Sequence, residues 1–188
     1  MKKKMKIVLF IGMVILQLAV PVSMIQDHQT TLKEGQPFKF KAAPVDPYDP
    51  FIGRYLSINI EERQVQVEDT SKYQAGRNVY VTLENDDQGY AKISGLSFDR
   101  PTNPSYFKTK IAYTEDPSVR SGKVYLQIPF DRYYMPEAQA LVAEKELNTL
   151  FRENTNDVYV TVRINKGNAV MEKVYISGRS IEDYLKEK

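Results

Sequence analysis

Nineteen consecutive residues without a charge, 7–25 (IVLFIGMVILQLAVPVSMI), constrain this 188-residue chain more than any other feature. As a helix rising about 1.5 Å per residue they span roughly 28 Å, close to the roughly 30 Å thickness of a bilayer's hydrocarbon core. Gln17 near the middle carries a cost, and Pro21 lies where the last turn can fray at the interface. A cleaved signal sequence is the competing reading, because the strongest apolar run, 7–16, has the length of a signal's hydrophobic region. Cleavage favours an A-x-A-like pair of small residues. The stretch Ala19, Val20, Pro21, Val22, Ser23 offers none, and Pro21 spoils the nearest cut. A buried core helix is the third reading. Lys2, Lys3, Lys4 and Lys6 precede the run, whereas Gln26, Asp27 and His28 follow it. That asymmetry holds the N-terminus in the cytoplasm and exports the rest. Residues 1–6 are then a basic flank, 7–25 a single transmembrane anchor in contact with lipid, 26–36 a polar connector and 37–188 an exported domain.

Charge supports this division. Of the 26 basic residues four lie in the first 25 positions, which leaves 22 against 24 acidic ones over 26–188. The exported part is mildly acidic and shows no clustered basic face, so nucleic acid is not an expected partner. The absence of cysteine removes disulfides, thiol nucleophiles and zinc–thiolate sites, and a lone histidine, His28, removes most histidine metal centres. His28 reads as a solvated connector residue.

Past the connector, period-2 alternation predicts strands over 38–42, 54–61 with 65–67 as an extension, 78–83, 90–98, 106–113, 123–130, 157–164 and 169–176. The turns Asn85-Asp86-Asp87-Gln88-Gly89 and Lys166-Gly167-Asn168 make two of these pairs hairpins. Three prolines within 44–50 make that stretch an extended or turning loop. An amphipathic helix starts at Pro136-Glu137 and carries Ala140, Ala143, Leu147, Leu150 and Phe151 on one stripe through about 152. Ser180, with Asp183 three residues on, caps a last short helix. The expected fold is mainly β: an antiparallel barrel or sandwich with one covering amphipathic helix, preceded by a single N-terminal transmembrane helix.

The chemistry is thin. Asp46 and Asp49 in D-P-Y-D-P are spaced to share a cation or to divide acid and base roles, but aspartate before proline is ordinary turn chemistry, and a calcium loop carries more oxygen ligands and a glycine. Neither a metal nor a cofactor is assigned. The 13 tyrosines recur at strand positions and read as sheet-face packing. Ser23-Met24, just past the apolar run, is similar to the serine of membrane-bound signal peptidases, which pair it with a lysine. Those enzymes continue with Pro-Thr where Ile25-Gln26 stands here, and no activated base is evident for Ser23.

A longer resemblance runs through Pro44-Val45-Asp46-Pro47-Tyr48-Asp49-Pro50 into Gly53-Arg54-Tyr55 and returns at Tyr133-Tyr134-Met135-Pro136-Glu137. The chain resembles the GDYXXLXY family. Gly53 and Tyr55 match its signature, Arg54 replaces the aspartate, Ile58 the leucine and Ile60 the tyrosine. The second stretch is like the family's Tyr-Phe-Val-Pro-Glu. The resemblance implies a bacterial, single-span, membrane-anchored protein without an assigned activity that works beside a multi-span membrane protein. It marks Asp46, Asp49, Gly53, Arg54, Tyr55, Tyr134, Pro136 and Glu137 as binding residues. Arg54 reverses the charge of the family's aspartate, which counts against catalysis by that group here. The expectation is therefore a non-enzymatic, extracytoplasmic β-domain with no catalytic residue. The alternatives are a hydrolase using Ser23 and a barrel holding a small ligand between sheet and helix. The two landmarks, 46–55 and 133–137, are expected to meet in space, with Arg54 placed to pair with Glu137 or Asp131.

Overall fold

A computed structural model describes residues 2–44, 55–115, 121–153 and 157–187, with side chains from Lys4 onward. Helix α1 (Lys2–Glu34) contains the whole apolar run, and its large side chains from Ile7 to Ile25, Val14 apart, stand half or more exposed. It is one helix long and apolar enough to cross a membrane. The polar stretch expected as a connector is instead its last turns. Elongating an existing helix costs far less than nucleating one, and 26–34 contain neither glycine nor proline. Docking fixes them: Thr31 is 1% exposed against the β-domain, and its hydroxyl donates to the Asp27 carbonyl at 2.8 Å.

Strand β1 (Gln36–Ala43) begins one residue after the helix ends. In chain order there follow β2 (Tyr55–Ser57), β3 (Asn59–Ile60), β4 (Gln64–Val67), β5 (Asn78–Asn85), β6 (Ala91–Ser97), β7 (Tyr106–Thr114), β8 (Gly122–Leu126) and β9 (Arg132–Tyr134). Then come α2 (Glu137–Glu153), β10 (Val158–Asn165), β11 (Asn168–Ile176), β12 (Arg179–Ser180) and α3 (Ile181–Lys186). One five-stranded sheet has the order β12-β11-β10-β1-β3, a second β4-β8-β7-β5-β6, and β2 pairs with β9. The pairs between these strands are antiparallel. Two isolated bridges, Lys39 to Tyr90 and Phe107 to Gly167, join the sheets into a nearly closed barrel. The barrel expectation holds.

Alternation built this core. Phe38, Phe40 and Ala42 of β1, Val79, Val81 and Leu83 of β5, and Val158, Val160, Val162 and Ile164 of β10 all point inward and are buried. Phe130 lies between the sheets, 5.1 Å from the ring of Phe40 and 5.5 Å from that of Phe107. Helix α2 covers β2 with its Ala143–Leu147–Leu150 stripe buried. The turn expected at 166–168 is a two-residue loop with φ of 49° at Lys166 and 94° at Gly167. That pair of positive φ values matches the right-handed strand twist.

Two expected strands break. The run 54–61 divides at Ile58, because β2 pairs with β9 whereas β3 pairs with β1. Its alternation survives the change of partner, since Leu56, Ile58 and Ile60 are all buried. The run 123–130 stops at Leu126. Pro129 cannot donate to a ladder, and the chain turns there to deliver Phe130 to the core.

Candidate functional site

Strand β2 and strand β9 bring Tyr55, the described end of the first landmark, against the second. Tyr55 is the cross-strand partner of Tyr134, and their rings meet edge to face at 5.9 Å. Arg132, two residues before Tyr134 and on the same face, lays its guanidinium carbon 4.8 Å from the Tyr55 ring centroid. Such cation–aromatic contacts are favourable, and Tyr55 is half-buried. Tyr134 is 71% exposed. Pro136 immediately precedes α2, and its carbonyl accepts from the amides of Gln139 and Ala140, both at 2.9 Å. Glu137 is the first residue of α2 and exposed, an acid at the positive end of the helix dipole. Asp46, Asp49, Gly53 and Arg54 lie outside the described residues. Asp131 pairs loosely with its neighbour Arg132 at 3.8 Å.

Between the two landmark residues of β9, Tyr133 faces the other way. It is half-buried and its hydroxyl donates to Glu182 of α3. Burial first, and then this bond to a carboxylate, push the phenol well above its ordinary value. The tyrosine thus ties β9 to α3 and does not offer a reactive hydroxyl.

A cleft of about 540 Å³ opens beside this pair. Its walls include Arg132 and Tyr134 from β9, Val170 and Glu172 from β11, and His28 from α1. A second cleft, of about 310 Å³, shares His28, Pro129, Ala169 and Val170 with the first and adds Met24, Asp27 and Lys108. Together they form a groove around the C-terminal turns of α1. His28 reads from the sequence as a solvated connector residue, and Arg132 carries no signal of its own there. The usable signal was the alternation Arg132-Tyr133-Tyr134, which puts Arg132 and Tyr134 on one face of any strand.

The end of α1 is fastened to the sheet beside this groove. Gly35 donates its amide to the Thr31 carbonyl at 2.9 Å. A Cβ on Gly35 would overlap that carbonyl oxygen and lie 3.0 Å from both Arg163 Cβ and the Ile164 amide nitrogen. Only glycine permits this approach of helix end to β10. Arg163 reaches back with Nη1 to the Gly35 carbonyl at 3.2 Å. Its Nε and Nη2 donate to both oxygens of Glu172, at 2.9 and 3.0 Å. The β-bulge between Thr161 and Val162 leaves Glu172 as the extra residue of β11, two positions from Val170, the register partner of Arg163. The Glu172 carboxylate raises the arginine above its ordinary value.

A further aromatic row lies on the outer face of the first sheet. Tyr159 and Tyr175 stack at 5.0 Å with rings 8° from parallel, and Lys39 and Lys41 stand over Tyr159 and Tyr90. Tyr90 donates to Asp157 at 2.7 Å. Burial and that carboxylate push its phenol up to about 12. These tyrosines pair across strands as sheet-face packing.

For the two alternatives the geometry is specific. Ser23 sits on the exposed surface of α1 and its hydroxyl donates to the Val20 carbonyl at 2.8 Å, a local helix bond. The barrel interior is occupied by Phe40, Phe107 and Phe130. The gap between α2 and β2, walled by Leu56, Ile58, Leu147 and Phe151, measures about 10 Å³, room for about one water at most. No group of three or more His, Cys, Asp or Glu suited to a metal occurs among the described residues.

A family model described as GDYXXLXY protein matches residues 17–174, from within α1 to within β11. No curated protein and no solved structure matches the chain.

Proposed function

The chain belongs to the GDYXXLXY family, and from that premise we propose that it is a non-enzymatic, membrane-anchored β-domain. Its body lies outside the cytoplasm and it acts through an integral-membrane partner. The observation that carries the reading is α1 itself. Its apolar run is exposed along its length, and the same helix continues without a break into the fastening at Gly35 and Arg163. A helix exposing so much apolar surface requires a non-aqueous surround. The lysines ahead of the run supply the orientation. The perturbed side chains described above are each tied into structural pairs, which favours recognition over catalysis.

Topology reporters test this. A reporter fused after Lys188 is expected to be active on the exported side alone, and mass spectrometry of the mature protein is expected to find residues 1–25 retained. A mature N-terminus near Gln26 overturns the anchor. A photo-crosslinking residue at Tyr134 is expected to join the chain to one integral-membrane protein. Adducts with soluble proteins alone would remove the partner claim.

A further inference from the structure

We propose that the groove at the foot of α1 rests on the anionic phospholipid headgroups of the membrane that α1 crosses, which orients the β-domain on the bilayer. This inference depends on α1 being a membrane anchor. A helix rises about 1.5 Å per residue, so His28 stands about 4–5 Å and Thr31 about 9 Å beyond Ile25, the last apolar residue. The polar headgroup layer on each side of the hydrocarbon core is about 5–8 Å thick. The β-domain residues that line one cleft with Met24, Asp27 and His28 therefore lie at headgroup level. They are Lys108, Pro129 and the 167–170 turn.

The fastening at Gly35 makes that height a fixed property of the molecule. With a flexible connector the domain would float at any distance. Here the helix end contacts the sheet through glycine backbone and an arginine fork.

Charge and side-chain type then match the layer. Lys108 on β7 lines the groove, and Lys166 lies next to it in the β10–β11 turn, in a neighbouring cleft with Glu34; both are exposed and form no ion pair among the described residues. Arg132 and His28 stand further along the groove. Of the acids that face it, Glu172 is held by Arg163 and Asp131 lies beside Arg132, which leaves Asp27. The floor is apolar, with Pro129, Ala169, Val170 and Met171. Tyr134, exposed at the rim, has the amphipathic ring that is enriched at membrane interfaces. Basic side chains over an apolar floor complement phosphate groups above acyl chains.

The native chain has no cysteine, so single labels are straightforward. Fluorescent labels at Asn168→Cys, Asp87→Cys and Leu16→Cys are placed on the full chain in phosphatidylcholine vesicles with or without phosphatidylglycerol. Asp87 lies in the turn beside Lys41, at the end of β1 remote from Gln36. A headgroup nitroxide lipid is expected to quench the Asn168 label at least two-fold more than the Asp87 label, with the contrast growing in anionic vesicles and shrinking at high salt. Charge reversal of Lys108, Lys166 and Arg132 is expected to bring Asn168 down to the Asp87 level. If Asn168 and Asp87 are quenched alike while an acyl-chain nitroxide quenches Leu16, the headgroup contact is overturned and the anchor stands. An unquenched Leu16 overturns the anchor reading itself. Equal contrast in neutral and anionic vesicles overturns the charge argument, and that result does not depend on any charge-reversal variant folding.

Discussion

Replacing Gly35 by alanine tests the fastening of the anchor directly. The added methyl overlaps the Thr31 carbonyl oxygen and meets Arg163 Cβ and the Ile164 amide nitrogen at 3.0 Å. Two of these three neighbours are backbone, so the helix end and β10 must separate. Overpacking of this kind costs about 1–3 kcal/mol. Separation also stretches the 3.2 Å bond from Arg163 to the Gly35 carbonyl. Because Arg163 and Glu172 are about a third exposed, that adds only the low end of the usual hydrogen-bond contribution, roughly 0.5 kcal/mol. Working the other way, Gly35 is not among the glycines with positive φ, so alanine gains about 0.4–1 kcal/mol by narrowing the unfolded ensemble. The net is a loss of about 0.5–3 kcal/mol, centred near 2 kcal/mol. For a chain of this size each kcal/mol lowers Tm by about 2–4 °C, so the central value corresponds to a drop of roughly 4–8 °C.

Thermal unfolding of the full chain in detergent, followed by circular dichroism, reads this drop. Gly95→Ala is the matched control. Its Cβ meets nothing within 4 Å and its φ is not positive, so its Tm is expected to stay level or rise slightly. If the two variants unfold within about 2 °C of each other, the close approach at Gly35 does not hold the helix, and the rigid-anchor reasoning fails with it.

Phe130→Ala empties the space between Phe40 and Phe107 and is expected to cost about 3–5 kcal/mol, read as a lowered urea midpoint. Tyr133 and Tyr90 have raised phenol values in the folded state. Their contribution is therefore full below the unfolded value of about 10 and is lost as pH rises past it. The domain is expected to lose stability steeply above that pH, and Tyr133→Phe to flatten the loss; an unchanged alkaline transition in that variant counts against the Glu182 pairing. Ser23→Ala removes only a local helix bond and is expected to shift stability by no more than about 0.5 kcal/mol with cellular function intact. Abolished function at unchanged protein level would return the hydrolase reading.

The parts of the fold legible in the sequence are those fixed by local rules. The apolar run of α1, the inward-facing positions of β1, β5 and β10, and the turn at Lys166-Gly167 follow from period, length and glycine's tolerance of positive φ. What escaped depends on partners. Whether Leu56 and Ile60 share one strand is decided by β9 and β1, which lie about 76 and 17 residues away in the chain, and alternation alone cannot show a change of partner. Strand β9 has three residues, too few for any periodicity. The helical state of 26–34 is set by burial of Thr31, which polar composition conceals.

The candidate site divides along the same line. That Tyr55 would meet Tyr134 followed from two landmarks at element junctions, and the β2–β9 register bears it out. That His28 of the anchor stands at the same groove did not follow, because it needs the helix to continue past its apolar run. The continuation has a mechanical consequence on the proposed reading. A domain of this size has a radius of gyration of about 15 Å, so its far side stands roughly 30 Å from the helix foot. Transmembrane helices tilt over a range of about 0–40°, and a 10° change carried through a rigid fastening moves that far side by about 5 Å. A partner that tilts α1 within the bilayer thereby turns the whole barrel, and the Tyr55–Tyr134 pair at the groove turns with it. Loosening Gly35 or the Arg163–Glu172 fork separates those two motions while leaving both the anchor and the barrel in place.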